Sequence, residues 1–145
     1  MTPHAQPVAS EAVEVKLRVL YLFAGPDRQS SLGHALCEEA ALRAAATPGI
    51  RIQVVLEEID TLRGGRDHDA LNPALQDSLD QKVSQGHYDL VIVTPPCNTF
   101  TRSVFANRRG PAPVRDWQWP RGFPWLTPAR RAAAEGGNAL VDLAV

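Results

Sequence analysis

Three short runs of hydrophobic residues predict buried β-strands. They extend from Leu17 to Phe23, from Ile50 to Leu56 and from Tyr88 to Thr94. Each run is rich in residues that favour strands and is cut off by a turn, by acidic residues or by proline. Continuous apolar runs of this length are typical of a parallel sheet that is covered on both faces.

Helical segments separate and follow these strands. A helix capped by Ser30 or Ser31 is predicted to end near Ala46, a second to cover 73–85 after the capping residue Asn72, and a third to run from 128 to about 145. The alternation predicts an α/β fold with a mostly parallel, Rossmann-like sheet. The inward face of the first helix is predicted to hold Leu32, Ala35, Leu36 and Leu42.

The remaining segments set the predicted organisation of the chain. Residues 1–16 show no helical or strand period and are predicted to form a flexible tail in front of one domain, 17–145. A loop is predicted at 63–69. A long irregular region follows the third strand and reaches about Leu126, and loops of that length are commonly functional or disordered.

Composition narrows the classes of protein to consider. The chain has 145 residues, is 44% hydrophobic and carries a formal net charge of −1, so contact with nucleic acid requires local clusters of cations. No apolar run reaches about 18 residues and no signal peptide is visible, which predicts no membrane association. The two cysteines predict no disulfide and an intracellular location, cytoplasmic if the source is a prokaryote or a phage.

Polar and conformationally special residues follow all three predicted strands, where parallel sheets bind ligands. They are the turn Phe23-Ala24-Gly25-Pro26-Asp27, the acids Glu57, Glu58 and Asp60, the loop aspartates Asp67 and Asp69, and Pro95-Pro96-Cys97. A carboxylate at the end of the second strand is placed to accept hydrogen bonds from both hydroxyls of an adenosine ribose. The alternative is that these acids only cap a loop. No metal site is predicted, because adjacent side chains of Asp67-His68-Asp69 cannot all reach one ion.

The two cysteines have different predicted roles. Cys97 follows a strand and a rigid Pro-Pro pair, which presents its thiol at the ligand-binding edge with little conformational freedom. Nearby Arg102, Arg108 and Arg109 would favour the thiolate. The alternative for Cys97 is a buried structural cysteine. Cys37 lies on the predicted inward half of the first helix and is interpreted as structural.

Arginine and aromatic residues are interleaved after Cys97. The arginines are Arg102, Arg108, Arg109, Arg115, Arg121, Arg130 and Arg131, and the aromatic residues are Trp117, Trp119, Phe123 and Trp125. This combination suits phosphate contact and stacking on unpaired bases. The alternative is that the tryptophans form a local cluster that folds the loop back on the sheet.

Three motifs together resemble the DNA (cytosine-5) methyltransferases. They are Leu22-Phe23-Ala24-Gly25, Glu58-Ile59-Asp60 and Pro95-Pro96-Cys97-Asn98-Thr99-Phe100-Thr101, in the order and spacing of that family. The resemblance covers roughly Leu17 to Arg102, and its most specific part is the Pro-Pro-Cys-x-x-Phe-Thr run. It implies S-adenosyl-L-methionine as cofactor, DNA as partner and a target cytosine that leaves the duplex stack.

The resemblance also implies roles for individual residues. Cys97 would be the nucleophile that adds to ring carbon six of cytosine, which makes carbon five reactive toward the methyl sulfonium. Glu58 would hold the ribose, and Asp69 or Asp67 would approach the adenine amino group. The implied cofactor-binding set is Phe23, Ala24, Gly25, Glu58, Ile59, Asp69 and Pro95. The implied nucleic-acid-binding set is Arg102, Arg108, Arg109, Arg115, Trp117 and Trp119.

The sequence also departs from the family pattern. Pro26-Asp27-Arg28-Gln29 stands where the family has further glycine, and the chain ends before the family's Glu-Asn-Val, Gln-x-Arg-x-Arg and target-recognition segments. The expectation is therefore a fragment or incomplete methyltransferase that a second polypeptide or a further C-terminal segment completes. The alternative is a catalytically inactive relative that serves as a nucleic-acid-binding or assembly module.

Overall fold

The computed structural model describes residues 12–101, 105 and 110–145. Its strands are β1 (Val13–Leu22), β2 (Ile50–Ile59) and β3 (Leu90–Val93). Its helices are α1 (Leu32–Ala46), α2 (Thr61–Gly64), α3 (Pro73–Ser84) and α4 (Pro128–Asp142), with a 3₁₀ helix at Gly65–His68. Within these ranges, none of the helices has the length and apolar character needed to cross a membrane.

The three strands form one open, all-parallel sheet in the order β2-β1-β3. Leu22 pairs with Ile59 on one side and with Val93 on the other, so all three strands end at the same edge. The connection from β2 to β3 crosses over the central strand β1. The direction in which strands are added to the sheet therefore reverses beside β1. This confirms the predicted α/β class and parallel sheet, and it directs attention to the carboxyl edge.

Two hydrophobic clusters stabilise the described chain. The first lies between the sheet and α3 and consists of Leu20, Leu22, Ile59 and Leu79, with Phe23, Leu75, Tyr88 and Val93 packed against it. The second joins α4 to the segment in front of it and consists of Val114, Leu126 and Ala134, with Phe123 at its margin. The irregular region after Cys97 is therefore partly ordered by a small core of its own.

Local chemistry explains how the elements begin and end. Ser31 caps α1 by accepting from the backbone N–H of His34, and Asn72 caps α3 by accepting from that of Ala74. Gly86, just after α3, has a φ of 66°, a conformation that glycine adopts without strain. These caps confirm the helix starts that the sequence predicts.

Several predicted boundaries were wrong. β1 begins at Val13, which pairs with Ile50, so the end of the predicted tail is strand. β2 continues to Ile59, whereas β3 spans only Leu90–Val93. The predicted loop at 63–69 is largely α2 and the 3₁₀ helix, because Asp60 caps α2 through the N–H of Leu62.

The predicted inward face of α1 was also wrong. Leu32 is 42% exposed and Leu42 is 67% exposed, whereas the buried residues of the helix are Gly33 and Ala40. Helix α1 packs against β2, and small residues at the contact let the two backbones approach closely. Leu32 and Leu42 face away from that contact, whereas Leu36 is half-buried.

An ion pair fixes β3 to β1 at the other end of the sheet. Asp89 accepts from the backbone N–H and the guanidinium of Arg18, at 2.8 to 3.1 Å, and its own N–H donates to the Arg18 carbonyl. The hydrogen bonds from Arg18 lower the pKa of Asp89 to about 2. The charged pair thus sets the register in which β3 enters the sheet.

Candidate functional site

The turn after β1 is held in place by side chains from the ends of the other two strands. Asp60 accepts from the N–H of Gly25 at 2.9 Å, and the Thr94 hydroxyl donates to the carbonyl of Phe23 at 3.0 Å. Phe23 has a φ of 62°, which is unusual for a residue with a side chain, and Gly25 has a φ of 73°. The Phe23-Ala24-Gly25 turn is therefore a fixed feature of the carboxyl edge.

Glu58 and Arg63 form a largely buried pair beside this turn. Arg63 donates from Nη1 to Glu58 Oε2 at 2.6 Å and from Nε to the carbonyl of Gly25 at 2.7 Å. Glu58 Oε1 and Arg63 Nη2 are buried and have no hydrogen-bond partner in the described part of the chain. One unpaired acceptor and one unpaired donor thus lie within a single ion pair.

A cavity of about 230 Å³ opens between α1 and β2 next to this pair. His34 and Asp27 form a contact of 3.1 Å across its margin. The interpretation of Cys37 as a structural, inward-facing residue was wrong, because its thiol is exposed and lines this cavity. Among the described residues, those that line it are Asp27, Gly33, His34, Cys37, Leu56, Glu58 and Arg63.

The neighbouring acid Glu57 points to the opposite face of the sheet. It accepts from Lys82 Nζ at 2.7 Å and from the Tyr88 hydroxyl at 2.5 Å. Burial opposes ionisation of Glu57, but the hydrogen bonds from Lys82 and Tyr88 outweigh it and lower the pKa of Glu57. Burial, together with the bond to Glu57, raises the pKa of Tyr88. Glu57 therefore ties α3 and β3 to the sheet and does not join Glu58.

Ile59 and Asp69, two residues of the predicted cofactor-binding set, stabilise the fold. Ile59 packs its side chain in the sheet core, and its carbonyl accepts from the N–H of Phe23, so the prediction that it lines a ligand does not fit its position. Asp69 is exposed and accepts from the N–H of Leu71 at 3.0 Å, which stabilises the turn before α3. Asp67 is exposed in the 3₁₀ helix. No cluster of three metal-ligating side chains occurs among the described residues.

Cys97 is exposed at the same edge of the sheet, beyond the end of β3. Pro95 before it is half-buried, and the Cys97 carbonyl accepts from the N–H groups of Phe100 and Thr101, each at 2.9 Å. This turn holds the loop while leaving the thiol accessible. Because β1 lies between β2 and β3, the ends of the two outer strands are roughly 10 Å apart, two strand spacings.

Arg115, predicted to contact nucleic acid, is instead buried, with 5% exposure. Its Nη1 donates to the Pro120 carbonyl and to Asn138 Oδ1, and its Nη2 donates to the Ala134 carbonyl and the Thr99 hydroxyl. The guanidinium also stacks on the Phe100 ring, 3.8 Å from its centroid. Arg115 therefore connects the Cys97 loop to α4, and a phosphate contact does not fit this position.

The aromatic residues of this region divide into two groups. Trp125 stacks on Phe123 with centroids 5.0 Å apart and meets Trp119 edge to face at 6.1 Å, as the alternative of a local cluster predicts. Trp117 stands apart and is 90% exposed. The predicted DNA contacts Arg102, Arg108 and Arg109 lie outside the described residues.

Two adjacent glycines of α4 provide a matched test of how the Cys97 loop is held. A Cβ on Gly137 would lie 2.6 Å from the Thr99 hydroxyl, whereas a Cβ on Gly136 would meet nothing within 4 Å. Gly136→Ala is expected to stabilise the protein by about 0.5–1 kcal/mol through helix propensity. Gly137→Ala is expected to destabilise it, because the loop must move away from α4. Urea unfolding of both variants measures the difference, and equal stabilisation by both would contradict the observed contact.

Some site residues were not found from the sequence. Arg63 lay in a segment interpreted as loop, and nothing in its local pattern indicates that it pairs with Glu58. Asn138 offered a weak indication, since it is a polar residue in an Ala-rich helix, and the structure buries it against Arg115. Arg63 bonds to Glu58, 5 positions away, and to Gly25, 38 positions away, and Asn138 bonds to Arg115, 23 positions away, so only the folded chain brings these groups together.

The comparisons with known proteins returned nothing. No family model, no curated protein and no solved structure matches this chain. The site geometry and the sequence motifs are therefore the features that bear on the function of this chain.

Proposed function

We propose that this chain is the cofactor-binding and cysteine-bearing part of an S-adenosylmethionine-dependent DNA (cytosine-5) methyltransferase. The observation that supports this most is the exposed Cys97 thiol at the carboxyl edge that also carries the fixed Phe23–Gly25 turn and Glu58. The three features come from three neighbouring strands of one parallel sheet, which is the arrangement in which such sheets bind ligands.

The residues at the edge fit part of the proposed cofactor. Glu58 Oε1 is an acceptor without a partner in the described chain, as a ligand hydroxyl would require. Gly33 lets α1 approach that oxygen closely, since a Cβ there would come within 2.5 Å of it. Glu58 would therefore hold a ribose hydroxyl, with the Phe23–Gly25 turn beside it. When bound, the cofactor would supply an electrophilic methyl group.

Cys97 carries the other half of the proposed chemistry. Its thiolate would add to ring carbon six of an extruded cytosine, which passes electron density to carbon five, the methyl acceptor. The preceding prolines and the hydrogen bonds to its carbonyl limit the movement of the loop, so the thiol is presented at little entropic cost.

A catalytically inactive nucleic-acid-binding module is the second candidate. Arg63 supports it, because this residue already occupies Glu58 Oε2 and the Gly25 carbonyl, the groups that a cofactor would approach. The exposed Trp117 is available for stacking in either case. This candidate requires DNA affinity that falls steeply with salt and does not depend on cofactor.

The adjacent glutamates provide a matched test of cofactor binding. Calorimetry with S-adenosylmethionine is expected to show binding to the unaltered chain, and Glu58→Gln is expected to weaken it about tenfold, because a charge-assisted hydrogen bond to the ribose is lost. Glu57→Gln is the control, since Glu57 lies on the opposite face and contacts Lys82 and Tyr88. Equal weakening by both variants would remove Glu58 from the site.

The same measurement separates the two candidate functions. If calorimetry detects no binding of S-adenosylmethionine while DNA binds in a salt-sensitive manner, the methyltransferase proposal is rejected and the nucleic-acid-binding module is supported. Binding of the cofactor would reject the inactive module.

A further inference from the structure

A second cavity, of about 630 Å³, lies beside the Cys97 loop. Its volume is within the range of small-molecule sites. The lining residues that carry the argument are Thr99, Phe100, Arg115, Asp116, Trp117 and Pro120. Cys97 itself is not among the described residues that line it.

Among the residues that line this cavity, Trp117 has no evident role in packing. It is 90% exposed, and no ring contact to it is formed within the described ranges. Trp119 and Trp125, in contrast, pack in the aromatic cluster. Trp125 is also 68% exposed, but unlike Trp117 it stacks on another ring of this chain. Tryptophan is enriched at interfaces, where its ring supplies a large contact area. The Trp117 ring is therefore available to stack on a flat ligand.

Arg115 places a buried positive charge in the cavity wall. The groups that accept its hydrogen bonds are all neutral, and no carboxylate pairs with it in the described chain. Burial, followed by the neighbouring charge of Arg121, lowers the pKa of Arg115. A buried cation without a counter-charge favours electron-rich atoms nearby. At Arg115 the wall therefore suits ring nitrogens or carbonyl oxygens, and the aromatic and proline side chains around it suit a flat apolar surface.

Asp116 favours a ligand that carries a hydrogen-bond donor. Its Oδ1 accepts from the N–H groups of Gln118 and Trp119, at 2.9 and 2.8 Å, which fixes the carboxylate. Its Oδ2 takes part in none of the hydrogen bonds found in the described residues. An ionised carboxylate only accepts, so the ligand that matches it carries an N–H group. A flat ring, electron-rich atoms and an amino group together describe a nucleobase.

We propose that this cavity binds one unpaired nucleobase that carries an exocyclic amino group, next to the base presented to Cys97. The inference rests on the proposed function for DNA as the source of that base. The base would stack on Trp117, donate from its amino group to Asp116 and face the charge of Arg115. The chain would thereby hold a second base out of the duplex, beside the one that reacts.

Two nucleosides that differ only in the amino group test the donor requirement. Adenosine is expected to bind about fivefold or more tightly than purine riboside, which lacks the amino group, as measured by calorimetry and by quenching of tryptophan fluorescence. In the Asp116→Asn variant, the amide oxygen can still accept from the N–H groups of Gln118 and Trp119. An NH₂ group, which donates hydrogen bonds and does not accept them, takes the place of Oδ2. This variant is expected to lose the preference for adenosine.

Two tryptophans test the location of the base. Trp117→Ala is expected to weaken adenosine binding about tenfold, the effect of losing one base–aromatic stack. Trp125→Ala is the control, because Trp125 packs on Phe123 and does not line the cavity. Circular dichroism of both variants verifies folding. Equal affinity for the two nucleosides, or equal loss in the two tryptophan variants, would overturn the proposal.

The outcome is separable from that of the proposed function. Nucleoside binding is measured without methyl transfer, and the Asp116→Asn and Trp117→Ala variants distinguish the base site from the Glu58 site, at which the adenosine part of the cofactor would also bind. Adenosine binding in a chain that ignores S-adenosylmethionine would support the base site while rejecting the methyltransferase. Methyl transfer with no nucleoside binding would reject the base site alone.

Discussion

Replacement of Cys97 by alanine is expected to reduce methyl transfer into cytosine-containing DNA at least about a thousand-fold, the scale on which loss of a catalytic nucleophile acts. The reason is that the only other cysteine, Cys37, lies on α1 beside Glu58, so that no thiol would remain at the end of β3 to bond to ring carbon six. Incorporation of a labelled methyl group from S-adenosylmethionine into DNA measures the effect.

Cys37 provides the matched control, because both thiols are exposed. Cys37→Ala is expected to keep the covalent step, since Cys37 lies on α1 and not at the end of β3. Because Cys37 lines the cavity beside Glu58, calorimetry with S-adenosylmethionine measures separately whether this variant changes cofactor binding. Alkylation gives a second measurement, in which DNA protects Cys97 and leaves Cys37 reactive. Equal methyl incorporation by Cys97→Ala and the unaltered chain would remove Cys97 from the mechanism.

Replacement of Arg115 by alanine is expected to lower the free energy of unfolding by about 3 kcal/mol or more, because buried acceptors lose their donors together. The affected groups are the carbonyls of Pro120 and Ala134 and the side chain of Asn138. Loss of the stack on Phe100 adds to the effect. Urea unfolding measures it.

Arg121 is the control for Arg115. Arg121 also binds a side chain of α4, through two hydrogen bonds to Asp142, but this ion pair lies at the exposed surface. Exposed ion pairs contribute little, so Arg121→Ala is expected to have a much smaller effect. If the two variants unfold alike, Arg115 is not the residue that joins the Cys97 loop to α4.

The elements of the fold were largely predictable because their causes are local. Ser31 and Asn72 cap the helices that the sequence predicts, and the three apolar runs form one parallel sheet. The Cys97 position was predictable for a similar reason, since a strand followed by two prolines leaves few places for the next residue. The strand ends were less predictable, because pairing with a neighbour decides how far a strand continues.

The local sequence of this protein thus determined its α/β class, its helix starts and the edge at which its unusual residues gather. Tertiary structure alone decided that Arg63 forms an ion pair with Glu58, that Arg115 is buried and that Cys37 is exposed. Each of these outcomes depends on a group brought close from elsewhere in the chain. Periodicity and capping act over a few residues, whereas burial and charge pairing depend on what lies opposite in space.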